Sequence, residues 1–356
     1  MRIEIPQDGV VIRWREYLGL PPQAKAIGLG EGNTPLIHLE QFCQKHELDL
    51  ELYVKFEGLN PTGSFKDRGM AVAVTEALHN GAKTLLCAST GNTSAAAAAY
   101  AARAGLACVV LIPEGKIASG KLAQAIMYGA TIIQIKGNFD QGMQLVKEIS
   151  SERDDIALVN SVNPMRLEGQ KTASFEITTS LGRAPEYHVL PVGNAGNISA
   201  YWKGYVQAKQ IGLSDSLPRM VGYQASGAAP FIHGAIVESP ETIATAIRIG
   251  NPQSWQLAKD AVSQSNGWFG SQTDQELIAA LKYLSESEGI FCEPASAISI
   301  AGVIESYKRG VIKKGATVVC TLTGNGLKDT AIIDQYDYKN RIAVVEPEYH
   351  QIVSRF

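Results

Sequence analysis

From about Lys83 onward, short apolar runs alternate with longer stretches in which apolar positions recur at helical spacing. This is the pattern of repeated strand–helix units around a mostly parallel sheet. The runs predict strands over Thr84–Ala88, Ala107–Ile112, Thr131–Ile135, Ile156–Val159, Tyr187–Val192, Arg219–Tyr223 and Thr317–Leu322. The stretches between predict helices over Thr93–Ala104, Ser119–Tyr128, Asp140–Glu152, Arg166–Ser180, Ile198–Gln210, Ser254–Ser265, Asp274–Glu288 and Ser296–Arg309. A parallel sheet needs cover on both faces, which long amphipathic or alanine-rich helices supply. The fold class is α/β, and no repeat of fixed period divides the chain.

The chain has 356 residues, more than the ~250–300 at which one hydrophobic core usually stops growing. Two lobes are expected: a smaller one over residues 61–160, inserted between an N-terminal arm (1–60) and the rest of a larger lobe (161–340), with a tail over 341–356.

Composition narrows the function by exclusion. With 45% hydrophobic residues, 19% charged and a net charge of -3, the protein reads as an ordinary globular one, and nothing is basic enough to suggest nucleic acid. The start, MRIEIPQDGVVIRW, is broken by Glu4 and Asp8 where a signal peptide would be uniformly apolar, so a cytoplasmic protein is expected. The uncharged run around Ala95–Ala102 is too short to span a bilayer. Cys43, Cys87, Cys108, Cys292 and Cys320 form no CxxC pair and read as free, buried thiols. The six histidines show no ligand spacing, so no metal is expected.

Chemistry concentrates in four segments where a strand hands over to a helix, which is where α/β folds place ligands. They are NPTGSFKDRG (Asn60–Gly69), STGNTS (Ser89–Ser94), GNAGN (Gly193–Asn197) and TGNGLKD (Thr323–Asp329). In the first, Pro61 and Gly63 make a turn and Ser64 is the expected N-cap, so Lys66 falls in the first helical turn. There the helix dipole disfavours an ammonium and lowers its pKa. The plainer alternative is a solvated lysine paired with Asp67. GNAGN can converge backbone amides on a phosphate at a helix N-terminus. It matches neither GxGxxG nor a Walker loop, which weakens dinucleotide and ATP readings. STGNTS offers hydroxyls, an amide and free helix N–H groups to a carboxylate or phenolate oxygen, and the glycines of TGNG let the backbone approach a flat ring.

In this order the four segments resemble those of the fold-type-II pyridoxal-phosphate enzymes, over roughly residues 30 to 330. Within that group GNTPL (Gly32–Leu36), NSVNPMRLEGQKT (Asn160–Thr172) and TGNGLKD are similar to the threonine synthases of the shorter, single-module kind. The resemblance implies a two-lobed, open parallel-sheet architecture like that of the tryptophan synthase β subunit, and pyridoxal 5'-phosphate as cofactor. It implies Lys66 as the Schiff-base lysine and proton carrier, with Gly193, Asn194, Ala195, Gly196 and Asn197 around the cofactor phosphate. Asn92 would bond the ring's 3'-oxygen and Thr323 the ring nitrogen. The implied reaction is the β,γ-replacement that turns O-phospho-L-homoserine and water into L-threonine and phosphate. For the substrate's γ-phosphate the candidates are Arg166, Ser161 and Thr93 with Asn194, and for its carboxylate Ser89 and Thr90.

Glu293, in CEPASA, either approaches the cofactor or caps a helix with Ser296, and the cap is the preferred reading. Plant threonine synthases carry a long N-terminal extension that binds S-adenosylmethionine. Only some thirty residues precede GNTPL here, so activation by that ligand is not expected. The tail is expected to pack on the larger lobe or on a second subunit of a homodimer. The nearest rival is a serine/threonine dehydratase of the same fold, whose phosphate loop resembles GGGGL rather than GNAGN.

Overall fold

The structure is a computed structural model that describes residues 8–115, 119–336 and 341–355. Its strands are β1 (Leu36–His38), β2 (Leu50–Phe56), β3 (Thr84–Ala88), β4 (Ala107–Pro113), β5 (Thr131–Ile135), β6 (Ile156–Leu158), β7 (Tyr187–Pro191), β8 (Arg219–Ala225), β9 (Trp268–Gln272) and β10 (Ala316–Leu322). They form two sheets: a six-stranded one in the order β1-β2-β10-β7-β8-β9 and a four-stranded one in the order β5-β4-β3-β6. All pairings are parallel except β1 with β2. Five helices bear on the site: α1 (Lys66–His79), α2 (Asn92–Ala104), α3 (Pro164–Leu181), α4 (Gly196–Gln210) and α5 (Pro294–Lys308).

The seven strands expected from apolar runs all form; the inner strands β3, β7, β8 and β10 are buried almost throughout, as continuous apolar sequence in a covered sheet requires, while the edge strand β5 is largely exposed. β10 is buried along its whole length. Three strands were not expected. In β2, LELYVKF, the residues Glu51 and Lys55 interrupt the apolar run. Lys55 is nonetheless buried, because its ammonium donates to Glu176 at 2.7 Å and to the Thr34 carbonyl at 2.5 Å. β1 is only three residues long, and β9 is a half-buried strand with a central glycine.

The cores follow the sheets, with one exception to sequence order. Val10, Val11, Leu18, Leu20 and Ile27 join the cluster that contains Leu85, Cys87 and Val110 of β3 and β4. The arm that sequence order put with the larger lobe therefore contributes to the core of the smaller sheet. All five cysteines are buried and free.

Between the sheets lies a buried ion network. Arg68 on α1 donates to Glu57 at 2.6 and 2.8 Å and to Glu176 on α3 at 2.7 Å. Thr34, from GNTPL, donates to Glu57 at 2.6 Å and accepts from Arg68 at 3.2 Å. The two helices cross closely: a Cβ on Gly69 would lie 2.6 Å from the Arg166 carbonyl oxygen. Arg166 is thereby held against the first turns of α1, beside Lys66.

Candidate active site

Lys66 is the first residue of α1, as the NPTG turn implies, but Ser64 is not the cap. Phe65 holds the N-cap position without a side-chain cap, and Ser64 instead pairs across a short antiparallel bridge with Gly324. That bridge joins the first segment to the fourth. Phe65 N–H donates to the Thr323 carbonyl at 3.0 Å, Asn325 N–H to the Gly63 carbonyl at 2.9 Å, and Lys328 Nζ to the Thr62 carbonyl at 2.6 Å.

The alternative of a lysine paired with Asp67 does not hold, because Asp67 turns back to accept from Thr62 N–H at 2.6 Å and from the Thr62 hydroxyl. Burial pushes the Asp67 carboxyl up to about 7. Lys66 is half-buried, with its Nζ 3.9 Å from the centre of the Phe65 ring. Its pKa is pulled down to about 7, first by loss of water around the ammonium and then by the positive charge of Arg166, with Glu293 opposing. The helix dipole expected from sequence acts in the same direction, but burial is the largest cause.

Arg166 is 1% exposed. It lies in the first turn of α3, behind the N-cap Asn163, whose side chain accepts from Met165 N–H at 2.9 Å. Its Nη1 donates to the Val159 carbonyl at 2.7 Å, while its buried Nε has no partner. No carboxylate forms an ion pair with it among the described residues. Burial accordingly pulls its pKa down to about 10. Neighbouring Asn160 ties this loop to the end of β3 by two hydrogen bonds of 2.9 Å with the Ala88 backbone.

The GNAGN loop joins β7 to α4, and Ala195 adopts a left-handed φ of +65° as the helix N-cap. A non-glycine residue held there re-aims the following amides, a form of backbone strain found at ligand sites. Both side-chain atoms of Asn197 are buried without partners. Asn194 donates to Ser161 Oγ at 2.8 Å and accepts from Gln253 N–H at 2.8 Å, so the structure brings Ser161 and Asn194 together. Ser89, Thr90 and Thr93 are half-buried around the start of α2, and Ser89 Oγ accepts from Gly91 N–H at 3.2 Å.

Two pairings were not foreseen. Thr323 lies 2.9 Å from Ser296, whose hydroxyl also accepts from Gly324 N–H at 3.1 Å. Asn92 Nδ2 donates to both Glu293 oxygens, at 3.1 and 2.9 Å, leaving its buried Oδ1 without a partner. Glu293 does occupy the N-cap position of α5, but its side chain caps nothing, so the preferred reading of a cap is corrected. The sequence signal for both was CEPASA, a buried acid and serine where a helix begins.

The orphaned atoms of Asn92, Asn197 and Arg166, together with the amides at the start of α4, suit a flat, phosphate-bearing group with further polar substituents. Pyridoxal phosphate fits that description. No helix among the described residues is long and apolar enough to cross a membrane. No group of residues among them could hold a metal ion.

Comparison with known proteins gives the family. A family model described as pyridoxal-phosphate dependent enzyme matches residues 27–324. A threonine synthase of Halalkalibacterium halodurans is 56% identical over 321 residues, covering 90% of this chain and 90% of its own length. That of Mycobacterium leprae is 55% identical over 347 residues, covering 96% of each. Among solved structures, maize serine racemase superposes with a TM-score of 0.74 at 21% identity, over 93% of this chain and 95% of that one, a likeness of fold alone. The chain belongs to the pyridoxal-phosphate-dependent enzymes and, within them, to the threonine synthase family.

Proposed function

We propose that the chain converts O-phospho-L-homoserine and water to L-threonine and phosphate, the last step of threonine biosynthesis, with pyridoxal 5'-phosphate as cofactor. The observation that carries this reading is Arg166, a buried guanidinium without a carboxylate beside the lysine of lowered pKa. A buried cation in that state calls for an anion, and a substrate phosphate supplies one. The dehydratase alternative gives such a residue nothing to bind, and the relatives at 55–56% identity are threonine synthases.

When bound, the cofactor supplies the electron sink that stabilises negative charge at the substrate's Cα and Cβ. Gly193, Asn194, Ala195, Gly196 and Asn197 hold its phosphate, Asn92 its 3'-oxygen and Thr323 its ring nitrogen. Ser89 and Thr90 orient the substrate carboxylate at the N-terminus of α2. Lys66 Nζ, with a pKa of about 7, would take the proton from Cα, hand it on to the cofactor and, neutral again, take one from Cβ. Arg166, Ser161, Thr93 and Asn194 hold the γ-phosphate as its bond to Cγ breaks. Lys66 would then return the Cβ proton at Cγ, a water would bond through its oxygen to Cβ as its other proton passes to the departing phosphate, and Cα would regain its proton. The smaller lobe, residues 61–160 with the N-terminal arm packed into its core, closes over the substrate and excludes water. The protein works as a cytoplasmic homodimer. The exposed tail side chains Ile342, Val344 and Tyr349 support a second subunit, which sedimentation would test.

Phosphate release from O-phosphohomoserine is the direct assay, and Arg166→Ala is its sharpest variant. Loss of a charge-assisted hydrogen bond to the phosphate costs about 1.5–3 kcal/mol, so kcat/KM should fall roughly ten- to a hundredfold. Slow deamination of serine or threonine, which lack the phosphate, should suffer much less. Equal losses on both would leave Arg166 a structural residue, and rapid dehydration of threonine with no action on phosphohomoserine would favour the dehydratase.

Gly196→Val tests the phosphate loop. A Cβ there meets Leu167 and Ser254 at 3.5 Å, ordinary contact, so the position has room for the first side-chain carbon while the valine methyls intrude where amides approach a phosphate. Equilibrium dialysis should show weaker binding of pyridoxal phosphate. An unchanged dissociation constant in the folded variant excludes this loop.

A further inference from the structure

We propose that Glu293 is a positioning residue of the site, holding Asn92 from the helix start of the other sheet and supplying a negative charge near Lys66. The proposal rests on Lys66 being the cofactor lysine. Asn92 opens α2, which follows a strand of the four-stranded sheet, whereas Glu293 opens α5, which packs on the six-stranded sheet. The two hydrogen bonds from Asn92 Nδ2, at 3.1 and 2.9 Å, therefore join a helix of one sheet to a helix of the other.

The carboxylate is also fixed from the other side. Glu293 N–H donates to the Gly324 carbonyl at 2.9 Å, and a Cβ on residue 324 would lie 1.9 Å from Glu293 Oε2. Only glycine leaves room for the acid at the strand end that carries Thr323. At 1% exposure, a carboxylate packed this tightly has been placed at a cost that burial alone does not return.

The carboxylate also lies near Lys66, because it rests against Gly324, which pairs with Ser64 two residues before the lysine. Arg166 comes from α3 and Glu293 from the start of α5, while Asp67, on Lys66's own helix, is turned away toward Thr62 and Lys328. Burial first and then Arg166 drive the Lys66 ammonium toward its neutral form, and Glu293 opposes them. Loss of the Glu293 charge therefore leaves Arg166 unopposed, and Lys66 gives up its proton at lower pH.

The test uses the full chain stripped of cofactor, with pyridoxal phosphate as the probe and the pH dependence of its capture rate as the readout, since only the neutral amine attacks the aldehyde. Glu293→Gln keeps shape and an acceptor for Asn92 but removes the charge. Its capture midpoint should move to lower pH by about one unit. Asn92→Ala, which leaves the carboxylate in place, should keep the wild-type midpoint. Glu293→Asp should keep it too, while the absorption band of the bound cofactor shifts toward that of Asn92→Ala as the hold on Asn92 loosens. A Glu293→Gln midpoint equal to wild type, or an Asp variant whose midpoint moves as far as Gln's, overturns the proposal. Wild-type protein that captured no pyridoxal phosphate would instead sink the reading of Lys66.

Discussion

Lys66→Ala is expected to abolish the yellow colour of cofactor-loaded protein and to lower turnover about a thousandfold or more. One amine serves both as the cofactor's covalent anchor and as the carrier of the substrate's protons, and a positioned base alone is worth roughly 10²–10⁴-fold. The fold should survive, because truncating a half-buried lysine removes an ammonium whose burial already drives it toward the neutral form. Near-native circular dichroism with a lost visible band is the expected pair of results. A variant that stayed coloured and fully active would move the site elsewhere.

Glu176→Ala should produce the largest loss of stability without touching the substrate. Glu176 accepts from Lys55, from two nitrogens of Arg68, and from Asn33 N–H, at 2.7 to 2.8 Å. Removing one partner of a buried ion pair costs about 3–5 kcal/mol, because the cations stay behind without their counter-charge. Urea unfolding should show the midpoint falling accordingly, and Glu176→Gln, which can still accept a hydrogen bond, should fall less. A midpoint within error of wild type for the alanine variant would refute the network's role.

The same network makes a prediction about acid. Burial pushes the Glu176 carboxyl up, but the charges of Arg68 and Lys55 outweigh it and hold the group below the usual carboxylate range. A carboxyl lowered on folding contributes stability that is fully present above its unfolded value, about 4.5, and is lost as pH falls through the folded one. Acid should therefore narrow the difference between wild type and Glu176→Gln.

Much of this architecture is written locally in the chain. Short continuous apolar runs rich in β-branched residues or bounded by turn residues, such as TLLCA and ATVVCTL, suit inner parallel strands buried on both faces. The small and amide residues at their ends, at Ser89, Gly193 and Thr323, mark where backbone must approach something other than side chains. Those signals lie within a few residues of one another, so the α/β class and the four junction segments were legible from sequence, as was the place of Lys66 in the first turn of its helix.

What sequence did not determine depends on pairs far apart in the chain. β2 reads as interrupted by charge until Glu176, 121 positions away, neutralises Lys55. Asn92 and Glu293 are separated by 201 positions, and Thr323 and Ser296 by 27. The N-terminal arm joins the smaller core only because tertiary packing brings Val10 and Leu18 against it. The lowered pKa of Lys66 could be given a direction from the helix dipole, but its main causes, burial and the Arg166 charge, exist only once two sheets meet. Periodicity reports which face of an element is apolar, whereas the protonation of a buried group is decided by which charges the fold encloses with it.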